Sequence, residues 1–183
     1  MNLEKFTDRA KGFLQAAQTV AIRMNHQRIS PAHLLKAMIE DSEGMASGLI
    51  ARAGGQPRMV EDELDAALAK TPAVTGGGAQ ATPGLDNDAV RVLDQAEQIA
   101  QKSGDSYVTV ERLLVALALA TTTSAGQALK AGQVDPAKLE AAITELRGGR
   151  RADSANAEQA YDAMEKYARD LTQAARDGKL DPV

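Results

Sequence analysis

The chain carries the same residue pattern twice. When residues 6–68 are shifted by 79 positions, they align without a gap with residues 85–147. The matched positions are mostly apolar or small, as in the pairs Leu14/Leu93, Ala17/Ala96, Leu34/Leu113, Leu35/Leu114 and Pro57/Pro136. A repeat of this length indicates two copies of one structural unit that pack against each other, with a pseudo-twofold seam between them. We expect such a seam to be a place where a ligand binds.

The repeated unit reads as helical. Apolar residues between Phe6 and Met24 recur at the three- and four-residue spacing of an amphipathic helix. Aromatic residues make up only 3% of the chain and alanine is abundant, so helices can approach one another closely. We therefore predict an all-α fold, a tandem duplicated four-helix repeat.

Capping residues and prolines place the helix boundaries. Ser30-Pro31 and Asp135-Pro136 are typical helix starts. The first residue can cap free N–H groups, and proline suits the first helical position because the N–H that it lacks would have no partner within the helix. The predicted helices are 3–24, 31–41, 45–53 and one beginning at Pro57 in the first copy, and 87–103, 110–120, 124–131 and 136–146 in the second. We expect Leu34, Leu35 and Met38 to be buried.

Two glycine-containing stretches divide the chain, residues 71–84 and residues 148–156 (GGRRADSAN), and both are predicted to be linkers. Residues 71–84 (TPAVTGGGAQATPG) cannot hold a helix and are predicted to be a flexible linker. We expect a domain over 1–148, with repeat one at 1–70 and repeat two at 85–148. Residues 149–183 are then a connector, and its helix 157–177 is expected to be loosely held or docked elsewhere.

Composition excludes several functions. The net charge is −4 and no stripe of Lys or Arg is visible, which argues against nucleic-acid binding. No apolar stretch reaches 18 residues and no secretory signal is visible, so we expect no membrane span and a cytoplasmic location.

Catalytic and metal-binding motifs are missing from the sequence. There is no cysteine and no HExxH, GxSxG or GxxxxGK[ST] pattern. His26 and His33 flank a helix break, and no acid is spaced to complete a metal site with them. We interpret both as ordinary surface or capping histidines, and we expect no enzyme activity, no metal and no cofactor.

Two acids stand out in the second copy. Asp105 and Glu111 bracket the turn into its second helix, where turn chemistry and the helix dipole explain such residues. The first copy has His26 and Ala32 at these positions, so the repeated fold does not require the acids. That difference favours a functional role. Thr7, in the first turn of the first helix, is a capping residue by default.

The duplicated unit, with SPAHLL at residues 30–35 opening its second helix, resembles the Clp N-terminal domain that precedes the ATPase modules of Hsp100 unfoldases. The tail resembles the ClpB-type disaggregase branch, through RGGR at 147–150, YDAMEKY at 161–167, RDLT at 169–172 and GKLDPV at 178–183. In that branch LDPV leads directly into the first AAA+ module. The resemblance implies a monomeric fragment without an ATP site, cut from a homohexameric ATP-dependent chaperone.

The resemblance also implies a function. Such a domain binds unfolded or aggregated polypeptide in a groove between the repeats. The resemblance implies that Thr7, Asp105 and Glu111 line the rim of this groove and that Val92 and Leu93 form its floor. Both acids are expected to lie at a solvent-exposed helix start. Two alternatives stay open: a domain that docks adaptors of a Clp protease unfoldase (ClpA or ClpC type), and a structural spacer that gates the ring.

Overall fold

The computed structural model describes residues 3–74 and 82–159. In the first copy, a short 3-10 helix (Leu3–Lys5) is followed by α1 (Asp8–Arg23), β1 (Arg28–Ile29), α2 (Pro31–Glu40), α3 (Met45–Arg52) and α4 (Pro57–Lys70). The second copy contains β2 (Gly84–Leu85), α5 (Asn87–Lys102), α6 (Val110–Leu119), α7 (Ser124–Ala131) and α8 (Pro136–Arg147). The predicted all-α fold is confirmed. The first helix begins later than predicted, at Asp8, because the Thr7 side chain accepts a hydrogen bond from the Ala10 N–H and so caps α1.

The two copies exchange short backbone segments across the seam. Arg28–Ile29 of the first copy pairs in parallel with Gly84–Leu85 of the second. Phe6 forms an equivalent parallel bridge with Val108. A shift of 79 positions converts Phe6 into Leu85 and Ile29 into Val108, so each pairing is the image of the other. The predicted pseudo-twofold seam is thus present in the backbone.

The second helix of each copy lies at the centre of the molecule. In α2 and in α6 nine of ten residues are buried, so both are covered on all sides. Leu34, Leu35 and Met38 are buried as predicted. One continuous apolar cluster includes residues of both copies, so the repeats share a single core.

Some predictions fall outside the described part of the chain. Residues 75–81 of the predicted linker and 160–177 of the predicted connector helix are among these. The described residues 157–159 are helical, and the division at residue 148 stays a prediction. Within residues 3–74 and 82–159, no helix has the length and apolar character needed to cross a bilayer.

Candidate functional site at the seam between the repeats

A buried arginine gathers the polar side chains of the second copy that lie beside the seam. Arg147, the last residue of α8, donates from Nη1 to both oxygens of Asp105, at 2.7 and 2.8 Å. Its Nε donates to Glu111 Oε1 at 2.9 Å and its Nη2 to Thr109 Oγ1 at 2.9 Å. A guanidinium suits this place because its planar donors reach several oxygens at once.

The two acids titrate differently in this environment. Burial alone would raise the pKa of Asp105, but hydrogen bonds from Arg147, the Ala152 N–H and Arg112 outweigh it and lower that pKa. Burial raises the pKa of Glu111, and the charge of Glu158 adds to this against the attraction of Arg147. Asp105 is therefore the firmly ionised member of the pair.

Thr7 and Glu158 join the N-termini of two helices. Thr7 Oγ1 donates to Glu158 Oε2 at 2.6 Å, and the Val110 N–H donates to the same oxygen at 3.1 Å. The Glu158 carboxylate thus occupies the ends of α1 and α6, where free N–H groups and the helix dipole favour a negative charge.

The structure brings Thr7, Asp105 and Glu111 together, but not at the surface. Their exposed fractions are 0%, 8% and 0%. The prediction that the two acids begin a solvent-exposed helix is therefore wrong, because Arg147 and the segment around Glu158 cover them. A signal was present in the sequence: Arg147 occupies the position of Leu68 in the first copy, which places a charge at a core position. Sequence reasoning missed both Arg147 and Glu158.

The apolar residues predicted for the groove floor lie apart from the acids. Val92 lines a cleft of about 370 Å³ between α5 and α6, together with Ala116 and Leu119. Leu93 is fully buried in the core and does not form a floor. Glu111 and Leu119 are eight residues apart on α6, or about 12 Å along its axis. The single groove of the prediction is thus two separate features at opposite ends of α6.

The first copy contains the image of this cleft. A cavity of about 400 Å³ is lined by Phe13, Ala37 and Glu40, which occupy the positions of Val92, Ala116 and Leu119. The rims differ in chemistry. Leu119 is 45% exposed, whereas Glu40 is paired with Arg23 at 2.9 Å. At this one position the cleft of the second copy presents an exposed apolar side chain and the first presents an ion pair. An ion pair of the second cleft, Asp88 with Arg91 at 3.4 Å, lies elsewhere on its lining.

His26 and His33 are buried and hydrogen-bonded to each other. His26 Nδ1 lies 2.7 Å from His33 Nε2, and the Ser30 N–H donates to His33 Nδ1 at 2.9 Å. The predicted capping role is confirmed for His33, while a surface position is wrong for both. Burial, and then the charge of His26, lowers the pKa of His33 to about 4. Burial also lowers the pKa of His26, although a hydrogen bond with the Thr71 backbone partly opposes this. Across residues 3–74 and 82–159, no three His, Cys, Asp or Glu side chains are grouped to hold a metal ion.

Comparisons with known proteins agree with this architecture. The family model of the Clp repeat (R) N-terminal domain matches residues 5–132. The chain is 57% identical over 183 residues to the chaperone protein ClpB of Rhodopseudomonas palustris and 50% identical to that of Rhizobium meliloti, and it spans 21% of each relative's length. The crystal structure of the Hsp104 N-terminal domain from Candida albicans superposes with a TM-score of 0.71 at 26% identity, covering 84% of this chain and 98% of that one. The chain belongs to the family of Clp repeat N-terminal domains.

Proposed function

We propose that this chain recruits polypeptides for a ClpB-type, ATP-dependent disaggregase of the cytoplasm. The parent would be a homohexamer whose AAA+ modules follow this domain and thread the bound client. The similarity to ClpB relatives over the whole chain supports the assignment to this branch. The observation that supports binding is the cleft between α5 and α6, in which an apolar wall and the exposed rim residue Leu119 lie beside polar residues such as Asp88, Arg91 and Gln95.

The cleft suits side chains that unfolding has released. Val92 and Ala116 form its wall, Leu119 its rim, and Val90 is a further exposed apolar residue on α5. A shallow apolar cleft of this size takes one or two large apolar side chains and selects little else. Binding is expected to be weak, with a Kd of about 10–100 μM, or about −7 to −5.5 kcal/mol. A weakly held client is readily passed on.

Leu93 and the acids have different tasks in this proposal. Leu93 supports α5 from the core side and does not touch the client. Thr7 is hydrogen-bonded to Glu158, and Asp105 and Glu111 are hydrogen-bonded to Arg147. A client reaches them only when the residues that cover them move.

The test is an NMR titration of the chain with a permanently unfolded, apolar-rich polypeptide. Amide shifts are expected at Val92, Ala116 and Leu119. Leu119→Gln should weaken binding at least fivefold. Ile22→Gln is the matched control, because Ile22 is an exposed apolar residue of α1 that lines neither cleft, and this variant should bind as the parent does.

Two results would contradict the proposal. Unchanged shifts at millimolar client would leave a spacer that gates the ring as the better hypothesis. Strong binding of a folded adaptor together with no binding of unfolded client would favour the adaptor-docking role.

A further inference from the structure

The segment that follows the repeats is bound in the seam like a peptide. At one end, the Ala152 carbonyl accepts hydrogen bonds from the Ser106 and Tyr107 N–H groups, both at 3.0 Å. The Ala152 N–H donates to Asp105 Oδ1 at 3.1 Å. The Ala152 side chain is fully buried, so this end accepts only a small residue. We name residues 152–158 the connector segment.

The other end of the connector segment is held by helix N-termini. The Asp8 N–H, in the first turn of α1, donates to the Ala155 carbonyl at 2.7 Å. The Glu158 carboxylate receives the Thr7 hydroxyl and the Val110 N–H, as described above. Two backbone anchors and one carboxylate anchor therefore fix the connector segment along the seam.

Two buried oxygens have no hydrogen-bond partner among residues 3–74 and 82–159. They are Glu158 Oε1 and Glu111 Oε2, whose side chains are 1% and 0% exposed. A buried acceptor without a donor carries a desolvation cost that a better ligand would remove. A ligand that also brought a donor to Glu111 would satisfy the described part of the site more fully.

We propose that the seam is a peptide-binding site, now filled by the chain's own connector segment, that accepts a stretch with a small residue and, six positions later and after a turn, a carboxylate side chain at the start of a helix. The inference rests on the proposed function in one respect, that the competing ligand is a client polypeptide. The small residue follows from the closed space around Ala152, and the carboxylate follows from the donors of Thr7 and Val110.

Occupation by the connector segment makes the site self-inhibited. A tethered segment acts at an effective concentration on the order of millimolar, so a free peptide with the same contacts competes poorly. Removing the Glu158 carboxylate, which is the side-chain anchor of the connector segment, is the direct way to open the site. Loss of this carboxylate leaves the Thr7 hydroxyl and the Val110 N–H available to an external ligand.

The test uses the full 183-residue chain and a fluorescent peptide ADSANAE with blocked termini, which copies residues 152–158. The Glu158→Ala protein should bind this peptide at least tenfold more tightly than the parent does. The same Glu158→Ala protein should bind the variant peptide ADSANAQ at least tenfold more weakly than ADSANAE. Glu145→Ala is the matched control, since it removes an exposed glutamate from α8 outside the seam and should bind as the parent does. Thermal unfolding verifies that each variant is folded, and Glu158→Gln, which keeps the side-chain volume, serves if Glu158→Ala is not.

Hydrogen exchange gives an independent readout. In Glu158→Ala the amides of Asp8, Ser106 and Tyr107 should exchange faster than in the parent, and saturating ADSANAE should restore their protection. Equal affinity of parent and Glu158→Ala, with unchanged exchange at these amides, would overturn the inference.

Parallel titration with the unfolded client separates this inference from the proposed function. If the client binds but Glu158→Ala alters neither client nor peptide binding, the seam site is refuted and the recruiting function stands. If ADSANAE binds the opened seam but no protein variant binds the client, the seam site stands and the recruiting function is refuted.

Discussion

The buried histidine pair predicts that the first copy is sensitive to mild acid. The Ser30 N–H donates to His33 Nδ1, so the ring proton of neutral His33 lies on Nε2 and points at His26 Nδ1, 2.7 Å away. If His33 Nδ1 or His26 Nδ1 took up a proton, that nitrogen would become a donor facing another donor. Its hydrogen bond would then be lost. Both accepting nitrogens must therefore remain unprotonated for this arrangement to persist.

The size of the effect follows from the lowered pKa of His33, about 4 against an ordinary 6.5. The folded state binds this proton less readily than the unfolded state, so the stabilisation by the neutral ring is complete above pH 6.5. It is lost as the pH falls from 6.5 towards 4. The loss is about 2 kcal/mol at pH 5 and about 3 kcal/mol at pH 4, and solvent screening is slight because His33 is 1% exposed.

The second copy supplies the control. Its Asp105 and Arg112 occupy the positions of His26 and His33 and form an ion pair at 3.2 Å. We compare urea unfolding at pH 7 and pH 5 for the parent and for the double variant His26→Asp/His33→Arg. The parent should lose about 2 kcal/mol more than the variant between these pH values, since the carboxylates common to both proteins cancel. Equal losses would show that burial does not hold His33 neutral.

Two further predictions concern the core and the absence of an ATP site. Leu35→Ala and Leu114→Ala each remove a fully buried leucine at equivalent positions and should each cost about 2–5 kcal/mol of unfolding free energy; melting temperatures within one degree of the parent for both would contradict a shared duplicated core. Calorimetry should detect no ATP binding, because the sequence has no phosphate-binding loop; stoichiometric binding at micromolar affinity would overturn this expectation.

The helices could be predicted because their signals are local. Proline with a capping residue marks the starts of α2 and α8, and the apolar spacing within each helix identifies its buried face. The repeat itself predicted the seam, since two similar apolar units must cover each other. These inferences need only neighbouring residues or the comparison of one copy with the other.

The environment of the acids could not be predicted from local sequence. Asp105 and Glu111 lie near a helix start, where such residues are usually exposed. Their burial depends on Arg147, which is 42 and 36 residues away along the chain. Glu158 meets Thr7 across 151 residues. Contacts of this range leave no periodic trace, and only the difference between Leu68 and Arg147 indicated them.

The two copies solve the same packing problem in different ways. Where the second copy buries an ion cluster, the first uses a neutral histidine pair, Ala32 and Leu68. A buried ion cluster is often no more stabilising than well-packed apolar residues, because desolvation offsets the attraction of the charges. The first copy shows that this fold accepts the less charged solution. Stability alone therefore does not account for the ions of the second copy.

A graft of the first solution into the second copy tests this argument. The variant Asp105→His/Glu111→Ala/Arg112→His/Arg147→Leu transfers all four residues of the first copy to their equivalent positions. Its unfolding free energy should stay within about 2 kcal/mol of the parent's, because each change replaces a charged group and its desolvation cost together. The Ala152 end of the connector segment should nevertheless loosen, since Ala152 loses its carboxylate partner, and exchange at the Ser106 amide should accelerate at least tenfold. A variant that unfolds at room temperature would show that the ions hold the fold, and one that keeps the Ser106 amide protected would show that they do not hold the connector segment.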